Sequence, residues 1–286
     1  MRVLSIQSQV SYGYVGNTVA TFVLQRLGHQ VCAVPTVCYS NHTGYPGWRG
    51  HALTPAQVRD LIDGLDDLDA LAEIDLVLTG YLGDPSMVAV VAETVDRVRA
   101  ANPAARYACD PVLGDTDSGL YVPAQVPDQV ATLLIPAADL VIPNRFELGV
   151  LTGHPTDSLA ATLVAADLLR DAGPTAALVT SVVPEPDPGL DDGTVIGMLA
   201  VTGSGAWLVE TPQLPGAFPG AGDLTAALAV ARWYVEEPAS VLASTASGIH
   251  AVVAASHAAG SSELWVVEAQ QAFVEPGREF AVHRVR

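Results

Sequence analysis

Short apolar runs rich in β-branched residues alternate along the chain with segments of helical periodicity. Six runs predict strands, at residues 3–6, 31–37, 76–79, 107–109, 140–142 and 176–180. Because strands joined through helices lie parallel and need cover on both faces, this order predicts an α/β fold with a mostly parallel central sheet. No shift in composition marks a boundary, so we expect residues 1–286 to form a single domain.

Capping residues set the predicted helix boundaries. The helices are expected from Asn17 to Leu27, after the Thr54-Pro55 cap, from Asp84-Pro85 to Ala101, from Asp157 to about Gly173, from Leu224 to Val230 and from Ala239 to His257. An acidic loop at 184–193 precedes two runs, 195–201 and 206–211, which predict an antiparallel hairpin.

The segment Phe218-Pro-Gly-Ala-Gly-Asp223 stands at the start of one predicted helix. Glycines allow successive backbone N–H groups to turn toward an anion, and the positive end of the helix reinforces them. A carboxylate beside them can take a proton from an alcohol. These are the requirements of a kinase that acts on a small hydroxyl compound, since phosphoryl transfer depends mostly on positioning and charge stabilisation.

Polar clusters follow most of the predicted strands. They lie at residues 7–8, 40–45, 80–81, 110–115, 143–147 and 180–181. Ligands of open parallel sheets bind outside the carboxyl ends of the strands, so we expect these clusters to converge on one face of the sheet.

All 13 basic residues are arginine and the chain contains no lysine. A P-loop, a protein-kinase site and a pyridoxal-phosphate Schiff base each require a lysine, so these chemistries are excluded.

The net charge of −18 argues against nucleic acid or an anionic membrane as a partner. The N-terminus lacks a long apolar targeting region, and no uninterrupted apolar stretch predicts a membrane span. Cys32, Cys38 and Cys109 have no C-x-x-C spacing, so neither a disulfide framework nor a zinc site is expected. These features together predict a cytoplasmic protein.

The clusters taken together resemble the pyridoxal kinases of the ribokinase-like superfamily. The motifs that carry the resemblance are Ser5–Ser8 with Tyr12–Asn17, Ser40-Asn-His-Thr-Gly-Tyr45 with Trp48, Asp110–Asp115, Tyr121–Pro123, Pro143–Glu147, Thr180-Ser181 and Gly220–Asp223. They occur in the family's order across nearly the whole chain, and the run from Ser40 to Tyr45 is the most specific. The resemblance implies a ribokinase-like three-layer sandwich.

The resemblance implies a catalytic role for the glycine segment. Asp223 would be the base for the 5′-hydroxyl of pyridoxal, and Gly220, Ala221 and Gly222 would supply N–H groups to the migrating phosphoryl group. The second loop residue is commonly Thr or Val in the family, but a backbone N–H tolerates Ala221. At a helix N-terminus we expect a depressed pKa for Asp223. The alternative is an ordinary N-terminal helix acid, which the accompanying clusters disfavour.

A vitamer pocket is also implied. Its residues would be Ser8, Val15, Thr43, Tyr81 and Tyr121, together with Asp223. Hydroxyls can pair with the ring nitrogen and phenolic oxygen, and a tyrosine face can cover the ring. Alternatively Ser8 is a turn residue and the tyrosines pack at the rim. His42 either contacts the ligand or holds its own loop, and the Gly-rich segment 40–50 is expected to fold over the vitamer as a flap.

The ATP site implied by the resemblance includes Asp110, Asp115, Asn144, Glu147, Thr180, Ser181, Leu214, Phe218, Gly220 and Gly222. Mg²⁺ would be held by Asp110, Glu147 and Thr180, partly through water. The alternative for Glu147 is a helix-start acid beside the Asn144 cap. Potassium is a further candidate cation. Because Ile142 stands where the family often has a hydroxyl residue, potassium would use the Ile142 backbone carbonyl.

The implied activity is ATP-dependent phosphorylation of the 5′-hydroxymethyl group of pyridoxal, and of pyridoxine or pyridoxamine, by a homodimeric enzyme. The sequence leaves two alternatives. One is a hydroxymethylpyrimidine or sugar kinase of the same fold, against which the run from Ser40 to Tyr45 argues. The other is a non-catalytic vitamer-binding protein, in which Asp223 would serve no purpose.

Overall fold

The computed structural model describes residues 1–183 and 195–286, and the acidic loop predicted at 184–193 lies outside these residues. The strands are β1 (Arg2–Val10), β2 (Gln30–Tyr39), β3 (Gly50–Ala52), β4 (Leu76–Thr79), β5 (Arg106–Cys109), β6 (Gly114–Asp115), β7 (Gly119–Leu120), β8 (Leu140–Val141), β9 (Ala176–Val182), β10 (Val195–Thr202), β11 (Gly205–Pro212) and β12 (Val282–Arg284). The helices are α1 (Asn17–Arg26), α2 (Pro55–Asp66), α3 (Pro85–Ala101), α4 (Gln125–Gln129), α5 (Arg145–Thr152), α6 (Leu159–Asp171), α7 (Ala221–Trp233), α8 (Pro238–Ala258) and α9 (Gln270–Val274).

Ten strands form one sheet in the order β12-β11-β10-β9-β8-β5-β4-β1-β2-β3, and β6 pairs with β7 in a separate hairpin. The six strands from β2 to β9 in this order are parallel. Strand β3 at one end of the sheet and strands β10, β11 and β12 at the other run antiparallel to their neighbours. The prediction of a mostly parallel sheet is confirmed.

Side chains alternate between two buried layers, as the pleat of a strand requires. In β1, Leu4 and Ile6 belong to the layer that contains α2, α3 and α6, whereas Val3 belongs to the layer with α1, α7 and α8. The helices therefore cover both faces, which gives the three-layer arrangement that the sequence predicts.

Helix α8 is the one helix among the described residues that is long and apolar enough to cross a membrane. In the structure it packs as a core helix. Its residues Val241, Leu242 and Val252 are buried in the layer that also contains α1 and α7.

The predicted caps agree well with the structure. Thr54 forms a capping box with Gln57, and the Asp84 side chain accepts from the Ser86 amide. The helix expected from Asp157 begins at Leu159, because Ser158 provides the cap. The strands β3, β6, β7 and β12 are not predicted, since two or three residues at an edge carry almost no hydrophobic pattern.

A bulge interrupts the pairing of β1 with β2 between Gln7 and Gln9. The buried Asn17 side chain bridges the two strands there, since its amide donates to the carbonyls of Gln7, at 3.2 Å, and Val34, at 3.1 Å. Asn17 therefore fixes the position of Ser8, which lies between the two pairing positions.

Candidate active site

The N-terminus of α7 begins with a tight turn from Phe218 to Ala221. The Ala221 amide donates to the Phe218 carbonyl at 3.0 Å, and Gly220 adopts φ 89° and ψ −4°. These angles match the third position of a type II turn, which favours proline before the glycine, as Pro219 provides here. The geometry differs from the expectation that the Ala221 amide faces a phosphoryl group, because the turn itself uses that N–H.

Gly220 also allows a close approach of backbone to backbone. A Cβ atom at this position would lie 1.8 Å from the carbonyl oxygen of Tyr14. The loop between β1 and α1 is therefore packed directly on the start of α7. A side chain at Gly220 would push the two segments apart.

The first turn of α7 has no side-chain cap. Within the described part of the chain, the amides of Gly220, Gly222 and Asp223 donate to no backbone or side-chain acceptor. Unpaired amides at the positive end of a helix of 13 residues form a favourable position for an anion.

Asp223 lies at the third position of α7, where the Gly16 amide is close to its partly buried carboxylate. Burial raises the pKa of Asp223 to about 6, and the Gly16 amide opposes that shift. The expectation of a depressed pKa is therefore wrong. Loss of hydration outweighs the helix dipole together with one hydrogen bond.

Gly16 joins Asp223 to the predicted vitamer pocket. It has φ 54°, and a Cβ atom on it would lie 2.2 Å from both the Ser8 hydroxyl and the Ser8 carbonyl oxygen. Ser8, Gly16 and Asp223 are thus brought together, as the sequence predicts for a base beside a substrate contact. Val15 is half-buried in the same loop.

Asp110 lies buried at the end of β5. Burial, followed by repulsion from Glu147 and Asp223, raises the pKa of Asp110 well above its usual range, and the Val112 amide opposes the shift. The structure therefore brings Asp110, Glu147 and Asp223 into one electrostatic group. None of the three forms an ion pair with a described Arg or His side chain.

Glu147 holds the turn that follows Asp110. Its Oε1 accepts from the amides of Leu113, at 2.8 Å, and Gly114, at 3.4 Å. Its Oε2 accepts from the Asn144 amide at 2.8 Å, and the Asn144 side chain accepts in return from the Glu147 amide. The interpretation of Glu147 as a helix-start acid is thus confirmed, because the two residues form a capping box.

The turn held by Glu147 is strained. Val112 has φ 40°, a region that β-branched residues rarely adopt. Burial raises the pKa of Glu147 to about 7, although three backbone N–H donors act in the opposite direction. Strain of this kind persists only where the surroundings impose it, as the Glu147 hydrogen bonds do here.

Asp115 and Tyr121 close the hairpin formed by β6 and β7. The Tyr121 hydroxyl donates to Asp115, which also accepts from the amides of Asp117, at 2.9 Å, and Ser118, at 2.6 Å. Burial alone would raise the pKa of Asp115, but these hydrogen bonds outweigh it and lower the pKa. Tyr121 is therefore engaged within its own loop.

The remaining predicted vitamer residues lie at the rim. Tyr81 is half-buried, and its ring packs over Gly83, where a Cβ atom would lie 3.0 Å from the ring. Burial, followed by repulsion from Tyr39, raises the pKa of Tyr81. Thr43 is exposed in the loop between β2 and β3.

The remaining predicted ATP-site residues lie in the last part of β9 and in the segment between β11 and α7. Thr180 forms an isolated bridge with Asn144, and its amide donates to the Pro143 carbonyl at 2.9 Å. Ser181 is exposed with φ 57°. Leu214 and Phe218 are half-buried, and Phe218 packs on the layer that contains α7.

Glu263 is a buried acid that the sequence reasoning did not identify. It lies between α8 and α9 and accepts hydrogen bonds from Tyr45 and His42. His42 therefore holds its own loop, which was one of its two expected roles. Partners more than 200 positions away give no local signal, so the sequence alone could not have revealed this acid.

Comparison with known proteins adds three findings. A family model described as phosphomethylpyrimidine kinase matches residues 26–266. Proteins named pyridoxal kinase PdxY from Leifsonia xyli and Corynebacterium diphtheriae are 46% and 43% identical over the full length of both chains. The structure of pyridoxal kinase from Leishmania donovani in complex with ADP and pyridoxine is 31% identical with a TM-score of 0.92, covering 100% of this chain and 99% of that one.

Proposed function

The chain belongs to the phosphomethylpyrimidine kinase family, and we propose that it is a pyridoxal kinase, which transfers a phosphoryl group from ATP to the 5′-hydroxymethyl group of pyridoxal. The observation that carries the proposal is the uncapped N-terminus of α7, with Asp223 beside Gly16 and Ser8. The sequence resemblance to pyridoxal kinases is confirmed by the full-length relatives.

The open amides of α7 serve the migrating phosphoryl group. Charge spreads over its oxygens in the transition state, and fixed N–H donors stabilise such charge without reorganising. Gly222 and Asp223 supply donors in the first turn of the helix, and the positive end of the helix adds to them. The type II turn at Pro219-Gly220 holds these donors in place.

Asp223 orients the acceptor hydroxyl and takes its proton as the new P–O bond forms. With a pKa of about 6 the carboxylate is mostly ionised at neutral pH, and it is a stronger base than an ordinary helix-start aspartate. Gly16, which contacts Ser8, also lies beside this carboxylate. Ser8, Val15, Thr43 and Tyr81 are proposed to bind the vitamer around it.

Mg²⁺ with ATP fits the acidic group at the end of β5. Glu147 and Asp223 both repel Asp110, and none of the three pairs with a described basic side chain, an arrangement that a divalent cation would relieve. The described residues hold no cluster of three or more metal-ligating side chains, and magnesium commonly takes one or two carboxylates with phosphate and water. We assign Asp110 to the ion directly and Glu147 through water, because each Glu147 oxygen already accepts an N–H. Bound magnesium would neutralise phosphate charge.

The finer assignments rest on the sequence resemblance. They include Asp115, Asn144, Thr180, Ser181, Leu214 and Phe218 in the ATP site, Thr180 at the metal and Tyr121 at the vitamer. They also include potassium at the Ile142 carbonyl, a homodimer of single-domain chains, and a cytoplasmic location.

ATP consumption with magnesium is the direct test of the function. It is measured against pyridoxal, pyridoxine, pyridoxamine and hydroxymethylpyrimidine, with and without potassium. We expect turnover that depends on pyridoxal. Turnover of hydroxymethylpyrimidine or a sugar but not of pyridoxal would assign the rival kinase activity, and binding of pyridoxal without any turnover would indicate a vitamer-binding protein.

A further inference from the structure

The side chain of Glu263 connects three segments that are distant in the sequence. Its Oε1 accepts hydrogen bonds from the Tyr45 hydroxyl at 2.7 Å and from His42 Nε2 at 3.2 Å. Its Oε2 accepts from the Tyr14 backbone amide at 3.3 Å. The residue is only 8% exposed, so these contacts lie mostly out of water.

The donor at His42 is fixed by its other ring nitrogen. The Gly44 amide donates to His42 Nδ1 at 3.2 Å, so Nδ1 is the acceptor and carries no proton. The ring proton therefore lies on Nε2 and points to Glu263. All three groups that face the Glu263 carboxylate are hydrogen-bond donors. The two oxygens of a carboxylate can accept from all of them, whereas the NH2 group of a glutamine amide cannot accept a hydrogen bond.

The backbone of Glu263 is held in place as well as its side chain. The Ser261 hydroxyl accepts from the Glu263 amide at 3.0 Å and donates to the Glu263 carbonyl at 2.8 Å. A Cβ atom on Gly13 would lie 2.3 Å from Oε2, so the approach of the two segments depends on that glycine. The carboxylate is thus placed before any ligand binds.

Two of the Glu263 contacts are made with the loop between β2 and β3. The segment 40–50, here called the flap loop, connects β2 to β3 and contains both His42 and Tyr45. Thr43, the proposed vitamer contact, lies between these two tethered residues and makes no hydrogen bond of its own to the described residues. The Glu263 contacts therefore hold the loop on either side of Thr43, and hydrogen bonds between Asn41 and Gly47 and between Ser40 and Arg49 close its base.

The third Glu263 contact is made with Tyr14, in the segment that packs beside the proposed catalytic base Asp223. Tyr14 donates its amide to Glu263, and its carbonyl packs against Gly220 at the start of α7. Two residues further along, the Gly16 amide lies close to the Asp223 carboxylate. Glu263 thus lies at the junction of the flap loop and the loop that orients Asp223.

We infer that Glu263 is a positioning residue for the vitamer, tethering the flap loop to the Tyr14–Gly16 segment so that Thr43 and Asp223 face the same substrate. This inference rests on the proposed pyridoxal kinase function. The described hydrogen bonds of Glu263 go to the flap loop, Tyr14 and Ser261 and to none of the predicted ATP-site residues, so we expect its effect on the affinity for the vitamer and not for ATP.

The test compares E263A, E263Q and Y45F with E268Q as the matched control. Glu268 is an exposed acid five residues along that forms no hydrogen bond to the flap loop. We expect E263A to raise the KM for pyridoxal about tenfold with the KM for ATP unchanged, because buried charge-assisted hydrogen bonds are lost. E263Q and Y45F should each raise the KM for pyridoxal by less than E263A does. In the double variant, Y45F should add little to the increase in KM caused by E263A.

Trypsin provides a readout that does not depend on activity. Arg49 is exposed in the flap loop, and we expect faster cleavage there in E263A than in E268Q, without substrate. If the three variants keep the KM for pyridoxal and the cleavage rate of E268Q, the tether is refuted. If E263A fails to fold, the KM for pyridoxal and the cleavage rate of E263Q and Y45F, compared with those of E268Q, test the tether instead. If the wild type does not phosphorylate pyridoxal, the proposed function fails, and cleavage at Arg49 alone then decides whether the tether exists.

Discussion

The N-termini of α5 and α7 look alike in sequence and differ in structure. Each carries an acid at its third position, Glu147 in α5 and Asp223 in α7. At α5, Asn144 and Glu147 form a capping box that uses the free backbone groups. At α7, Gly220 provides no side-chain cap, and the amides of the first turn remain open.

Burial raises the pKa of both acids, to about 7 for Glu147 and about 6 for Asp223. The hydrogen bonds around them differ more. Glu147 accepts from three backbone amides, whereas the Gly16 amide is the one backbone donor close to Asp223 among the described residues. An acid at the same helix position therefore stabilises a turn in one case and stays available for chemistry in the other.

The sharpest test of this contrast is the substitution Asp223→Asn. We expect turnover to fall about 10³-fold, since the general base is lost, while pyridoxal still binds. Initial rates of ADP formation and a pyridoxal binding isotherm measure the two properties. Near-normal turnover would show that Asp223 is only a helix-start acid like Glu147.

Whereas Asp223→Asn should act on turnover, Glu147→Ala should act mainly on the stability of the fold. It leaves the amides of Leu113, Gly114 and Asn144 unpaired, so we expect a loss of about 3 kcal/mol in the free energy of unfolding. The control is Gln57→Ala in the exposed capping box of α2, which should cost about 0.5 kcal/mol. Urea denaturation measures both, and equal losses would contradict the scaffold role of Glu147.

A comparison of glycines separates backbone strain from close approach. Gly220→Ala should be about 2 kcal/mol more destabilising than Gly153→Ala, because only Gly220 meets a neighbouring carbonyl oxygen. Gly153 ends α5 with φ 66° and has open space around its Cβ position, so its substitution carries only the conformational cost. Equal unfolding midpoints in urea would show that the contact with Tyr14 contributes nothing.

The sequence predicts the parallel sheet and the approximate site because strand periodicity, caps and the Gly220–Asp223 pattern are local signals. It predicts the direction of the Asp223 pKa shift wrongly, because burial depends on how the Tyr14–Gly16 segment packs over α7. The engagement of Tyr121 with Asp115 and the tether at Glu263 are missed for the same reason. Each depends on which side chains meet after folding.

The smallest expected effect is the pH dependence of stability at Asp223. Its folded pKa of about 6 lies above the ordinary aspartate pKa of 3.8, so ionisation of the folded protein carries a cost that grows as the pH rises between these values. Asp223→Asn should therefore be more stable than the wild type by about 1 kcal/mol at pH 8, after allowance for the partial exposure of the carboxylate. The difference should disappear near pH 4, where both proteins are neutral at this position. Urea midpoints at several pH values measure it. A wild type that is the more stable protein at pH 8 would show that the carboxylate, like that of Glu147, stabilises the fold.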